Sequence, residues 1–319
     1  MRRRLRLELA RWAERPDVTI AHWFRRPPYG GSNQFLLALR SELRRRGLRV
    51  GEHVVAPRTR ACVLNSFAFD ADLLRRMLHP RCRVVHRVDG PVTLYRGRDD
   101  GTDARIAILN DELAHTTVFQ SYYSLEASGT LGLRLRDPVV IPNAVDPSVF
   151  FPPQPEGRRE GRRVRLISTS WSDNPNKGAA ALAKLERELD RERFELTFVG
   201  RSPVEFVRVR TIPPQPSREV ANLLREHDVF VFASRHEACS NALLEALACG
   251  LPAVFVDSGG NRELVGDAGV AFAADDDLVA AVERAAGQID ELRARIAIPS
   301  LDDVTDRYLA AMGIETSHP

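Results

Sequence analysis

Apolar residues fall along the chain in two rhythms. Short runs dense in Val, Ile, Leu and Phe alternate with stretches whose apolar positions return every three or four residues. These are the periods of buried strands and amphipathic helices. In the first half VTIAHW (18–23), ACVLNS (61–66), RVVHRVDG (83–90), TTVFQS (116–121) and VVIPN (139–143) read as strands. Phe35, Leu36, Leu39 and Leu43 share one face of a helix predicted over 33–46, with Gly47 as its C-cap. Asp70 is placed to cap a helix reaching Met77, and another helix is predicted near 122–131. The second half restarts the pattern, with strands at 164–170, 194–200, 228–234 and 251–258 and helices at 177–190, 217–226 and 241–249.

Strands this uniformly apolar suit parallel sheets covered by helices on both faces, so the fold class expected is α/β. The 319 residues fit two domains of roughly 150 each. FFPPQPEGRREGRR (150–163) has no apolar period and reads as the linker between them. The expected architecture is two facing Rossmann-like, doubly wound domains, over 1–149 and 164–299. Their ligand is expected outside the carboxyl ends of the strands, in the cleft between the domains. In 300–319, Leu301, Val304, Tyr308 and Met312 repeat at helical spacing and need a surface to bury against.

Composition narrows the class. Apolar residues make up 44% and charged residues 28%, the balance of a folded globular chain. No run approaches the length of a membrane-spanning helix. The start, MRRRLRLELARW, lacks the apolar core and cleavage site of a secretory signal. A cytoplasmic protein is expected, with Cys62, Cys82, Cys239 and Cys249 as reduced thiols, since none form a Cys-x-x-Cys pair. The net charge of +3 is uneven: residues 1–50 hold 13 arginines against four acidic residues. A first helix near 2–14, with Leu5, Leu9 and Trp12 on one face, is expected to pack on the first domain. The alternative is weak contact with an anionic membrane or a lipid-linked acceptor, peripheral to the membrane. No zinc-finger, helix-turn-helix or RRM pattern points to nucleic acid.

The most informative segment is SRHEACSNALLEALACGLPAVF (234–255). Ser240 is placed to N-cap a helix starting at Asn241, and Gly250 and Pro252 stop that helix. Its free amides at 240–242 make an anion site suited to phosphates. Glu245 follows Asn241 by four residues on the same face, where a carboxylate can accept hydrogen bonds from both hydroxyls of a ribose. Glu237 lies on the other side of the helix start and can meet a sugar beyond the phosphates. Lys177, in SWSDNPNKG (170–178), is one of two lysines in a chain with 44 arginines, which suggests that a compact point charge is needed there.

Glu237 and Glu245 resemble the E-x7-E pattern of retaining GT-B glycosyltransferases, particularly family GT4, and the surrounding block is similar to that family's most characteristic stretch. Lys177-Gly178 resembles its diphosphate-binding Lys-Gly. Gly30-Gly31 resembles its N-terminal glycine loop, SGGNREL (258–264), with Gly259 and Gly260, its loop beside the donor sugar, and VIPNAVDPSVF (140–150) its crossover segment. The family often has an Arg at the position of Trp171; Arg201 is a candidate for that second cationic contact. HRVDGP (86–91) looks like the loop that usually carries a His before its Gly. Here that position is Asp89, with His86 upstream, and either can face the donor sugar.

The resemblance implies a retaining, metal-independent hexosyltransferase with a nucleotide-diphosphate sugar as donor substrate and no further cofactor. The acceptor stays open between a lipid-linked and a small molecule, and the base between uridine and guanosine. Lys177, Ser240 and Asn241 then hold the diphosphate, Glu245 the ribose, and Glu237 and Asp89 the sugar. A front-face reaction without a protein nucleophile is implied. A change at Glu237 is expected to spare binding of bare nucleotide. The family's C-terminal helix returns to the N-terminal domain, and 300–319 is expected to do so. The alternatives are a GT-B nucleotide-sugar epimerase and a catalytically inactive GT-B binding subunit. Asp70-Ala71-Asp72 imitates a metal motif but reads as a helix cap, and Asp275, Asp276 and Asp277 precede a helix whose dipole they fit, so no metal is assigned.

Overall fold

The computed structural model describes residues 15–25, 31–153 and 162–315. The first predicted helix, Gly30 and most of the predicted linker lie outside the described residues. Those described form two compact units. The first gathers 15–24, 35–143 and 299–315; the second gathers 25, 31–34, 144–153 and 162–298.

Unit 1 is built on a six-stranded sheet in the order β2-β1-β3-β4-β5-β6. Its strands are β1 (Val18–Ala21), β2 (Val50–Glu52), β3 (Ala61–Asn65), β4 (Arg83–Arg87), β5 (Thr116–Phe119) and β6 (Pro138–Val140), and every pairing is parallel. The central strands β1 and β3 are buried along their whole length, as expected of strands covered on both faces. Helix α1 (Gly31–Arg45) buries Phe35, Leu36, Leu39 and Leu43, and Gly47 follows at φ +83°, the left-handed conformation that ends a helix. Helix α2 (Ala71–Met77) is capped by Asp70, whose carboxylate accepts from Leu73 N at 3.0 Å. Helices α3 (Val92–Arg96), α4 (Thr102–Leu113) and α5 (Tyr122–Thr130) complete the connections. Neither α3 nor α4 is legible in the sequence pattern: α3 is five residues long, and α4 buries Ile106 and Leu109 but leaves Ile108 65% exposed.

Unit 2 carries a second six-stranded sheet, in the order β12-β11-β10-β7-β8-β9, again parallel throughout. Its strands are β7 (Val164–Ser170), β8 (Phe194–Gly200), β9 (Arg210–Ile212), β10 (Val229–Phe232), β11 (Ala253–Val256) and β12 (Gly269–Phe272). Successive residues point to opposite faces. Leu166, Val229, Val231, Val254 and Val256 enter one apolar layer; Ile167, Phe230, Phe232, Ala253 and Phe255 enter the other. The first layer is closed by α6 (Ala179–Glu188) and α10 (Leu278–Ala286), the second by α7 (Ser217–Arg225) and α8 (Asn241–Ala248). Short helices α9 (Asn261–Val265) and α11 (Ile289–Ala294) follow β11 and α10.

The last helix, α12 (Leu301–Ala311), groups with unit 1. Tyr308 is fully buried with its ring 5.7 Å from that of Phe35. Arg45 and Arg46 of α1 reach Asp302 at 2.8 and 3.0 Å, and Arg83 Nε donates to Ala311 O at 2.7 Å. All four cysteines are free and buried, and burial pushes the Cys82 and Cys249 thiols up to about 12. Among the described residues no helix is long and apolar enough to cross a membrane.

Candidate active site

In unit 2 the strand order reverses between β7 and β10, which lie side by side with Leu166 opposite Val229. At such a point the loops leaving the two carboxyl ends part and open a crevice. The loop after β7 holds Lys177 and the loop after β10 holds Glu237.

Each loop is shaped by local chemistry. Asn174 accepts from Asn176 N and starts a 3-10 turn, Pro175–Lys177, that ends on Gly178 at φ +75°. A Cβ on Gly178 would stand 2.4 Å from the carbonyl oxygen of Ala233, so only glycine lets the two loops close together. Arg235 N donates to Asn176 O across them at 2.7 Å. Lys177 Nζ then reaches Glu237 Oε1 at 2.5 Å, and Ser234 Oγ donates to the same oxygen at 2.5 Å.

A third loop, after β11, grips Glu237 by its backbone. Gly260 N donates to Glu237 O at 2.7 Å, and a Cβ on Gly259 would lie 2.5 Å from that oxygen. His236 sits at φ +58° with its N–H on Ser258 Oγ. Buried Asn261 donates to Ser234 O and Val256 O at 3.0 and 3.1 Å, tying the loop to both strands. Ser234 and Asn261 carry no distinguishing signal in the sequence, where a serine after a strand and an asparagine at a helix start are commonplace.

Ser240 caps α8, its side chain accepting from Leu243 N, so the free amides of the helix start lie next to Glu237's loop. Asn241 opens the helix, and Glu245 lies one turn further along. Burial without an offsetting charge pushes the Glu245 carboxyl up to about 8.

Arg201 follows β8, where Gly200 at φ +127° passes so close to Ser170 that a Cβ would fall 1.8 Å from its carbonyl oxygen. Its exposed guanidinium pairs with Asp173 at 2.6 Å. Trp171 packs against the apolar layer holding Ile167 and Phe232.

Asp89 and His86 belong to unit 1 and differ sharply. His86 is fully buried in β4, donating from Nε2 to Ser66 O at 2.7 Å and accepting from Asn110 at Nδ1. Burial lowers its pKa to about 4, so it is a neutral core residue. Asp89, beyond the strand, is 40% exposed and receives a 2.9 Å bond from Arg87. Buried Arg87 is itself held by Asn65 and Asn143 at 2.7 and 3.0 Å. Of the two residues offered for a sugar contact, Asp89 alone is accessible. Gly31 opens α1. Among the described residues no cluster of His, Cys, Asp or Glu has the arrangement of a metal site.

Two parallel doubly wound sheets of these orders define the GT-B class of folds. The solved structures agree. Sucrose-phosphate synthase from Thermosynechococcus elongatus superposes with a TM-score of 0.71 at 14% identity, over 91% of this chain and 96% of that one. HepE from Anabaena in complex with UDP-glucose gives 0.67 at 12%, over 93% and 98%. Starch Synthase IV from Arabidopsis thaliana, bound to ADP and acarbose, gives 0.70 at 12%, over 93% and 98%.

Residues 165–288 match the family described as "Glycosyl transferases group 1". Among curated proteins, the GPI3 subunit of phosphatidylinositol N-acetylglucosaminyltransferase from Saccharomyces cerevisiae is 29% identical over 143 residues, covering 40% of this chain and 32% of that protein. The D-inositol 3-phosphate glycosyltransferase of Streptosporangium roseum is 41% identical over 59 residues, covering 18% and 14%. The matches thus span less than a third of these relatives' own length.

Proposed function

We propose that this chain is a retaining glycosyltransferase that moves a sugar from a nucleotide-diphosphate donor to an acceptor hydroxyl. The observation that carries the reading is the meeting of Lys177, Ser234 and Glu237 at the switch point of unit 2, beside the start of α8. As the sugar departs, charge accumulates on the diphosphate. The Lys177 ammonium and the amides at 240–242 offset that charge, so the protein's own groups supply what the leaving group needs. Glu245 accepts from the ribose hydroxyls. Glu237, with Gly259 and Gly260 behind it, orients the sugar. Asp89, steadied by Arg87, is proposed as a further sugar contact on the resemblance of its loop alone. Neither glutamate is cast as a nucleophile.

The test is turnover of purified protein with UDP-glucose, UDP-N-acetylglucosamine and ADP-glucose, each against simple sugar and inositol acceptors. Release of free nucleotide with a transferred sugar of unchanged anomeric configuration is expected. Nucleotide binding without turnover would mark an inactive binding subunit. Release of nucleotide with a free epimerised sugar would mark an epimerase.

A further inference from the structure

Lys177 and Glu237 occupy each other in this structure. Their 2.5 Å ion pair is supplemented by Ser234 Oγ on the same carboxylate oxygen, and the two side chains keep 22% and 14% exposure, so water and ligand reach both. A diphosphate approaching Lys177 therefore meets a carboxylate already in contact with the ammonium. Two anions then compete for one cation and repel each other. A sugar hydroxyl does the opposite. It donates to the carboxylate and stabilises it as Lys177 turns away.

We infer, resting on the donor-site reading above, that Glu237 is the internal counterion of Lys177 and sets a preference for intact sugar nucleotide over bare nucleoside diphosphate. Bare diphosphate can take Lys177 only by leaving Glu237 charged beside it, with Ser234 still donating to the carboxylate. The intact donor brings its own hydroxyls to replace the ammonium. Once the sugar has been transferred, Glu237 reclaims Lys177 and the diphosphate is released. The backbones around the pair are clamped separately: Gly260 N holds Glu237 O at 2.7 Å, and Arg235 N holds Asn176 O at 2.7 Å. Exchange of partners thus requires side-chain rotation and no loop movement. This replaces the sequence-based expectation that Glu237 is indifferent to bare nucleotide.

The experiment is calorimetry on the full chain with UDP and UDP-glucose as probes, for wild type, Glu237→Gln and Ser234→Ala. Gln keeps size and an acceptor but removes the charge. Glu237→Gln is expected to bind UDP about 3- to 10-fold tighter, in keeping with a partly solvated ion pair, while its preference for UDP-glucose over UDP falls. Ser234→Ala leaves Glu237 leaning on Lys177 alone and is expected to weaken UDP. The opposite signs separate the inference from general damage to the site, which weakens UDP in both variants. Should Glu237→Gln not fold, Glu237→Ala, which also removes the charge, takes its place and is likewise expected to tighten UDP. Unchanged or weaker UDP binding in folded Glu237→Gln, or UDP binding in Ser234→Ala that is not weakened, would overturn the inference. The donor-site reading survives that result if wild type binds UDP and Lys177→Ala does not. A wild-type chain that binds none of UDP, GDP and ADP overturns both.

Discussion

Single residues set the electrostatics of the crevice, and two of them make sharp predictions. Lys177→Ala is expected to lower both affinity for UDP-glucose and turnover, with the larger loss in turnover, because the diphosphate is most negative in the transition state. Equal KM and kcat in the variant would remove Lys177 from the donor site. Glu245, proposed for the ribose, is expected to act on stability as well as binding. Its folded pKa, about 8, lies above the ordinary value of 4.5. Between these values the folded chain keeps a proton that the unfolded chain releases, so stability falls as pH rises from about 4.5 to about 8 and levels off above. Glu245→Gln is therefore expected to stabilise the protein by about 1–3 kcal/mol at pH 8, allowing for partial solvation, with no gain near pH 4. Above pH 8, where the folded carboxyl is ionised, the same change should weaken nucleotide binding by about 1–3 kcal/mol, since a charged acceptor is lost. Urea titrations at the two pH values and calorimetry check the pair. A gain independent of pH would show that Glu245 is ionised in the folded chain.

At the scale of elements, the site depends on how closely two loops approach. Gly178→Ala places a methyl 2.4 Å from the Ala233 carbonyl at a φ of +75°, so the turn holding Lys177 must shift. We expect a loss of at least about 2 kcal/mol in stability together with weaker UDP binding; wild-type affinity would show that the contact between the loops is dispensable. Elements also differ in how plainly the sequence announces them. Strands β7 and β8 and the Ser240 cap of α8 coincide with the expected positions because short β-type runs and a serine before a helix are local signals. Strands β2 and β9, three residues each, and the short helices α3 and α11 have too few residues to show a period. Parallel pairing with distant neighbours forms these edge strands, and no local pattern records it.

For the molecule as a whole, the division into units does not follow the order of the chain. Residues 299–315 complete unit 1, and 31–34 group with unit 2. Helix α12 is held to unit 1 by Tyr308 and by charges around Glu42, whose carboxyl Arg45 and Arg46 hold down at about 2. A carboxyl lowered in this way adds stability above about pH 4.5 that is lost as pH falls toward 2. Deleting residues 299–319 is expected to speed amide hydrogen exchange in 35–46 and 83–87 while sparing 164–170 and 229–232. Equal acceleration in both regions would show that the two units unfold together.

The class of fold, and the residue types proposed for the site, can be read from the sequence. Short runs dense in Val, Ile, Leu and Phe suit sheets covered on both faces, and a capped helix start and a rare lysine mark where an anion can bind. Tertiary structure alone decided which of these groups meet. The ion pair of Lys177 with Glu237 joins residues 60 positions apart, through two strands made adjacent by the sheet order, and Ser234 enters because β10 ends where β7 ends. It also distinguishes His86 from Asp89: their spacing in the sequence treats them alike, but the sheet buries one and leaves the other in reach of solvent. Local sequence specifies conformation and polarity, whereas contact between distant residues depends on how the strands are ordered, which no short segment encodes.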